Sequence, residues 1–142
     1  MERPGSMKKI GFSGTQMGMS DEQKSLLTSL LRNLKEKSGF STLIHGDCIG
    51  SDSQAHKIAK DLGFKIEIFP PKVSSKRAFC GEGDDIIHDK EDYLVRNRLI
   101  VDSSDFLIAA TKSSKEELRS GTWSTVRYAR KRKKKVIILS AK

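Results

Sequence analysis

Residues 106–110 read FLIAA, and residues 119–129 read RSGTWSTVRYA after a polar loop. A short apolar run, a turn of small residues and a helical pattern are typical of a strand that leads through a tight turn into a helix. Such a turn leaves backbone N–H groups unpaired at the positive end of the helix dipole, which favours an anion and in α/β proteins usually a phosphate. The alternative is that Ser120 and Thr122 only cap the helix.

Two earlier turns have a similar character. Residues 11–15 read GFSGT, and residues 46–52 read GDCIGSD. The glycines allow a ligand to approach the backbone closely, and the carboxylates of Asp47 and Asp52 can accept hydrogen bonds from ribose hydroxyls. The alternative for the second turn is that Asp52 only caps the next helix. Three such turns at equivalent places favour a nucleotide pocket. Its expected residues in these two turns are Ser13, Gly14, Thr15, Gly46, Asp47, Gly50 and Asp52.

Short apolar runs alternate with helical periodicities along the chain, which indicates a parallel sheet with crossover helices. The expected strands are 8–13, 42–45, 65–69, 105–110 and 136–139. The handedness of crossovers predicts a single Rossmann-like, three-layer α/β/α domain with five parallel strands in the order 3-2-1-4-5. Ligands of such sheets bind at the carboxyl ends of the strands, where the order reverses.

The expected domain covers residues 7–142. Residues 1–6, MERPGS, are expected to be a vector-derived tail. Residues 72–90 have no clear period, and a segment of this length in a compact domain is expected to be a mobile loop that covers a ligand.

Composition narrows the functional classes. The chain has 142 residues and a net charge of +9, of which the run RKRKKK at residues 130–135 supplies +6. That run either binds nucleic-acid phosphates or is the solvated end of a helix. No apolar run approaches the about 18 residues of a membrane span, so no membrane partner is expected. Two cysteines without a CxxC pattern predict a cytoplasmic protein with no metal and no resident cofactor.

Five further residues have side chains that could take part in binding or catalysis. In the third expected helix, Arg96 and Arg98 flank Asn97, and Arg96 or Asn97 is expected to contact the ligand. Trp123 either stacks on a base or fills the interface between sheet and helix. His56 is expected on the outer face of the second helix.

These motifs, in this order, resemble the superfamily that joins DNA-processing protein A with the LOG phosphoribohydrolases, often called SLOG. The resemblance is carried by GSDSQAH at residues 50–56, RNRLI at residues 96–100 and SGTWST at residues 120–125. It implies a Rossmann-like fold with a nucleotide or nucleic-acid ligand, and the small stand-alone members on the DNA-processing side are the most similar. A homodimer is a further expectation.

The resemblance leaves the activity open. A nucleotide-binding module, with phosphate at Gly121 and Thr122, is the favoured function. One alternative is a LOG-like N-glycosidase that acts on nucleoside 5'-monophosphates. The LOG turn PGGxGTxxE ends in a glutamate that takes part in base release, whereas Thr125 stands there in this chain; Asp47 and Asp52 are the candidate catalytic acids. The other alternative is single-stranded DNA binding.

Overall fold

The structure is a computed structural model that describes residues 8–118 and 120–141. The expected tail at residues 1–6 lies outside the described residues. The elements, in chain order, are β1 (Lys8–Gly14), α1 (Asp21–Ser38), β2 (Phe40–His45), α2 (Ser51–Asp61), β3 (Lys65–Ile68), β4 (Ile86–Ile87), α3 (Tyr93–Ser103), β5 (Phe106–Thr111), α4 (Gly121–Lys131) and β6 (Lys135–Ser140). No helix in the described part of the chain combines the length and apolar character that crossing a membrane requires.

The sheet has six parallel strands in the order β4-β3-β2-β1-β5-β6, so the expected count of five is wrong. Its five longer strands do have the expected order. The additional strand, β4, lies within the segment 72–90, where Ile86 and Ile87 pair with Glu67 and Ile68 of β3. Two residues are too few to show an alternating pattern, which is why the sequence does not reveal this strand. The mobility of the segment stays a prediction.

Helices cover both faces of the sheet, as a three-layer domain requires. On one face α1 and α2 bury Leu27, Leu31, Ala55 and Ala59 against β1 and its neighbours. On the other face a second cluster joins α3 and α4 to β5; its members are Val101, Leu107, Ala109, Trp123, Val126 and Ala129. Since all strands are parallel, their carboxyl ends form one rim, and the loops that leave this rim build the candidate site.

The start of α1 is fixed to that rim by Gln23. Ser20 caps the helix and forms a capping box with Gln23, whose side chain accepts from the Ser20 N–H at 2.9 Å. The buried Nε2 of Gln23 also donates to the carbonyl oxygens of Thr111 at 2.9 Å and Leu139 at 2.6 Å. One side chain therefore ties α1 to the ends of β5 and β6.

Candidate functional site

A cavity of about 410 Å³ opens at the carboxyl ends of β1 and β5. This is the point at which the strand order reverses, since β1 is followed in the sheet by β5 on one side and β2 on the other. Its walls come from the turn after β1, the loop after β2, the start of α2, one face of α3 and the start of α4. The lining residues predicted as ligand contacts are Ser13, Gly14, Thr15, Asp52, Arg96, Asn97, Ser120, Gly121 and Thr122.

The start of α4 presents free backbone donors to this cavity. Ser120 is the N-cap, and its Oγ accepts from the Trp123 N–H at 3.2 Å. Among the described residues, the N–H groups of Gly121 and Thr122 have no hydrogen-bond partner. Both residues line the cavity, and a Cβ added at Gly121 would meet no atom within 4 Å. The geometry is that of an anion site at a helix N-terminus.

Thr125, at the position of the LOG glutamate, does not line the cavity. Its side chain is buried, and its Oγ1 donates to the Gly121 carbonyl oxygen at 3.0 Å. The position therefore serves the first turn of the helix in this chain. The carboxylates that line the cavity are Asp52 and Glu117.

Arg96 crosses from α3 to the loop after β2. Only 5% of the residue is exposed. Its Nη1 donates to the Gly46 carbonyl oxygen at 2.8 Å and lies 3.2 Å from Cys48 Sγ. A Cβ at Gly46 would collide with Nη1, so glycine is required there for the guanidinium to pass. In the described part of the chain the buried Nε has no partner.

Asp52 faces the same cavity and does not cap α2, whose N-cap is Gly50. Its Oδ2 accepts from the N–H groups of Gly46 and Cys48, both at 3.2 Å, whereas its buried Oδ1 has no partner among the described residues. Burial raises the pKa of Asp52 from 3.8 to about 6, although the charge of Arg96 and the two hydrogen bonds oppose the shift. Such a carboxyl exchanges its proton near neutral pH.

Asp47 lies outside the cavity walls and is fully buried. Its Oδ2 accepts from Arg77 Nε at 2.8 Å, and its Oδ1 accepts from the backbone N–H of Cys80 at 3.0 Å and from Cys80 Sγ at 2.9 Å. Burial opposes the charged form, but the hydrogen bonds from Cys80 and Arg77 outweigh it and lower the pKa of Asp47. Both oxygens are thus engaged in holding the segment 77–80 against the loop after β2.

Three other predicted contacts also lie outside the cavity walls. The carbonyl oxygen of Gly46 accepts a hydrogen bond from Arg96, and Gly50 adopts a positive φ of 92° at the start of α2. Trp123 is 3% exposed and packs in the core beneath α4, which is the second of its two predicted roles.

The cavity also has lining residues that the sequence analysis missed, namely Phe12, Gln16, Tyr93, Leu94, Ile100, Lys112 and Ser124. Tyr93 and Leu94 precede Arg96 and Asn97 on one helix, and helical spacing from these residues is the signal that locates them.

His45, His56 and Cys80 bring three potential metal-ligand atoms within 4.8 Å of one another. His56 is buried, so its expected place on the outer face of α2 is wrong. His45 Nδ1 accepts from the Asp47 N–H at 2.9 Å, so His45 Nε2 carries the proton and donates to His56 Nδ1 at 3.0 Å. A metal-bound histidine usually donates through its other nitrogen, whereas His45 accepts there. Burial, followed by the neighbouring His56, lowers the pKa of His45 to about 3. His45 and His56 therefore form a neutral hydrogen-bonded pair.

The whole fold has solved counterparts, although no family model matches the chain and no curated protein matches it significantly. A molybdenum cofactor binding protein from Rippkaea orientalis is 25% identical with a TM-score of 0.71, over 96% of this chain and 78% of that one. The Moco carrier protein from Chlamydomonas reinhardtii is 24% identical with a TM-score of 0.66, over 95% and 78%. DNA processing protein A from Helicobacter pylori, described with a single-stranded DNA binding mode, is 23% identical with a TM-score of 0.63, over 92% and 64%. The chain therefore has the Rossmann-like fold of these proteins, and the likeness agrees with the resemblance of its motifs to SLOG proteins.

Proposed function

We propose that this protein binds a phosphorylated heterocyclic small molecule, a nucleotide or a pterin phosphate, with the phosphate at the start of α4. One observation carries the proposal. The free N–H groups of Gly121 and Thr122 lie on the same cavity as two buried side chains, Asp52 and Arg96, that each retain an unpartnered polar atom among the described residues.

The end of the cavity at α4 suits a phosphate. The two free N–H groups sit at the positive end of the helix dipole, and a phosphate can accept from both. Lys112 lines the same cavity and adds a positive charge. These groups favour an anion without selecting what it is attached to.

Asp52 and Arg96 suit the polar edge of a heterocycle. Leaving a buried donor or acceptor without a partner costs about 1–3 kcal/mol, so both groups favour a ligand that completes them. Asp52 Oδ1 needs a donor and Arg96 Nε needs an acceptor. Nucleobases and pterins carry donors and acceptors side by side on one edge. Two of the similar proteins are described as binding or carrying the molybdenum cofactor, a phosphorylated pterin, which supports this ligand class.

Titration calorimetry with ribo- and deoxyribonucleoside 5'-monophosphates, a pterin phosphate and inorganic phosphate tests the proposal. Gly121→Asp places a carboxylate beside the free N–H groups, in open space and at a favourable helix position. Ser25→Asp adds the same charge to the first turns of α1 and is the matched control. We expect at least tenfold weaker binding in the first variant and unchanged binding in the second. Equal affinity of Gly121→Asp and the unmodified protein would contradict the proposal.

A second candidate function, N-glycosidase activity in the LOG manner, is favoured by Asp52 alone. A carboxyl with a pKa of about 6 on the cavity wall can transfer a proton at neutral pH, as base release requires. Incubation with the same monophosphates, followed by chromatography of free base, tests it. Base released by the unmodified protein but not by Asp52→Asn supports hydrolysis with Asp52 as the acid. No release from any substrate contradicts hydrolysis and leaves the binding function.

A further inference from the structure

A second, smaller cavity of about 230 Å³ continues from the candidate site between α3 and α4. The two cavities share three wall residues, Leu94, Asn97 and Ser124. Beyond these, the second cavity is lined by Arg98, Arg127, Tyr128 and Lys131. We call it the cationic groove. The side chains at 94, 97 and 98 share one face of α3, and those at 124, 127, 128 and 131 share one face of α4, which is the spacing that two helices need to line a common groove.

The cations of this groove are incompletely neutralised. Arg127 pairs with Glu116 at 2.8 Å. Arg98 lies over the Tyr128 ring at 5.4 Å, and neither Arg98 nor Lys131 has a carboxylate partner in the described part of the chain. Two exposed positive charges thus face a concave surface that opens into the candidate site.

The rest of the basic run is directed elsewhere. Arg130 lies 6.0 Å from the centre of the Trp123 ring. Arg132 Nε is 3.4 Å from an oxygen of Asp102, and Lys134 Nζ donates to the Ser104 carbonyl oxygen at 2.6 Å. Of the cations in the run 130–135, Lys131 is the one that lines the groove. The contribution of the run to the groove is therefore local.

The length of the groove selects the spacing of the charges that it can bind. Arg127 and Lys131 follow Gly121 by six and ten residues along α4, which places their backbone about 9 and about 15 Å further along the helix axis. The Arg127 guanidinium reaches back to the carbonyl oxygens of Glu117 and Leu118, before the start of α4, whereas Lys131 and the Arg98 that lies over Tyr128 are at the far end of the groove. Adjacent phosphates of a pyrophosphate are too close together to reach both the start of α4 and these two cations. A second phosphate separated from the first by a nucleoside unit can reach them.

We infer that the cationic groove is a subsite for a second phosphate, and that the preferred ligand is a phosphodiester-linked dinucleotide with a 5'-phosphate. The inference rests on the proposed function, because the 5'-phosphate occupies the start of α4. The linking phosphate then meets Arg98 and Lys131. Salt dependence follows, because each phosphate contact releases counterions.

Titration calorimetry with four 5'-phosphorylated homodinucleotides, the four matching 5'-monophosphates and the unphosphorylated dinucleotides tests the inference. The double variant Arg98→Gln, Lys131→Gln removes the two unpaired charges. The matched control, Arg32→Gln with Lys57→Gln, removes one arginine and one lysine from exposed positions on α1 and α2, across the sheet. In the unmodified protein we expect a 5'-phosphorylated dinucleotide to bind at least tenfold more tightly than its monophosphate. The slope of log affinity against log salt should be steeper by about 0.7–1 for the dinucleotide.

The double variant should lose this advantage and the additional salt slope, while its affinity for the monophosphate and that of the control variant stay unchanged. Equal affinities for dinucleotide and monophosphate in the unmodified protein would overturn the inference and leave the proposed function standing. If no monophosphate binds, the inference fails; if the pterin phosphate does not bind either, the proposed function fails with it. Tight binding of a long single strand irrespective of a 5'-phosphate would also overturn it, in favour of a DNA-binding groove.

Discussion

Replacing Asp52 by asparagine should stabilise the protein at neutral pH while weakening the site. Burial raises the pKa of the Asp52 carboxyl from 3.8 to about 6, and two pKa units correspond to about 3 kcal/mol. The folded state holds a proton that the unfolded state has already released between pH 4 and 6. Stability therefore falls as the pH rises through this window and stays reduced above it. Asparagine has no charge to bury.

The net gain at pH 8 is smaller than the full 3 kcal/mol. The asparagine carbonyl can still accept from the N–H groups that now bond Oδ2, but its amide nitrogen replaces an oxygen that has no partner in the described part of the chain. A buried unpaired donor costs about 1–3 kcal/mol. This cost is the same at every pH, so it lowers the net gain but cancels when two pH values are compared. We therefore expect Asp52→Asn to gain about 2–3 kcal/mol in unfolding free energy at pH 8 relative to its effect at pH 4.

Urea unfolding at pH 4 and pH 8 measures this difference. Other groups also titrate over this range, among them the buried His45, but they do so in both proteins and cancel in the comparison. Asp61→Asn, the same chemical change at an exposed position of α2, serves as the control. If Asp52→Asn changes the unfolding free energy equally at the two pH values, the argument that burial disfavours the charged form of Asp52 is refuted.

Four other substitutions have defined outcomes. Gln23→Leu should cost about 1–3 kcal/mol in urea unfolding, because the Leu139 carbonyl oxygen loses the donor that Gln23 supplies, while the Thr111 carbonyl oxygen keeps the Ala141 N–H. Gly50→Ala should lower the melting temperature by several degrees, since the residue has a φ of 92° and its Cβ would collide with the backbone of Gln16. Arg77→Gln should cost about 3–5 kcal/mol of unfolding free energy at pH 7, because it leaves the buried carboxylate of Asp47 without its cation. This loss of stability should shrink as the pH falls and Asp47 takes up a proton. Ser120→Ala should cost about 1 kcal/mol through the lost cap of α4, measured by the same unfolding assay.

Local signals explain why so much of the fold can be predicted from the sequence. The capping box at Ser20 and the apolar runs of the strands act within a few residues, and parallel connectivity then constrains the strand order. The same rule brings Ser13, Asp52 and Gly121 to one rim, because Ser13 lies at the carboxyl end of β1 and the other two follow the carboxyl ends of β2 and β5.

What the sequence does not show depends on contacts between distant residues. Whether Asp47 or Asp52 faces the cavity depends on which of them meets Arg77 and Cys80, about 30 positions further along the chain. His56 is buried because His45 reaches it from β2. Helical periodicity alone places a histidine on a helix face without saying what covers that face.

The position of β1 in the sheet has a consequence for synthesis on the ribosome. β1 pairs with β2 on one edge and with β5 on the other, in a register that joins Ile10 to Phe106. The N-terminal residues leave the ribosome first, so the second edge of β1 has no partner until residues 106–111 have been synthesised. Ile10 and Phe12, which are fully buried in the finished fold, lie on that unfinished strand. A nascent or truncated chain that stops before β5 therefore exposes an apolar strand edge to aggregation, and the centre of this sheet is completed late.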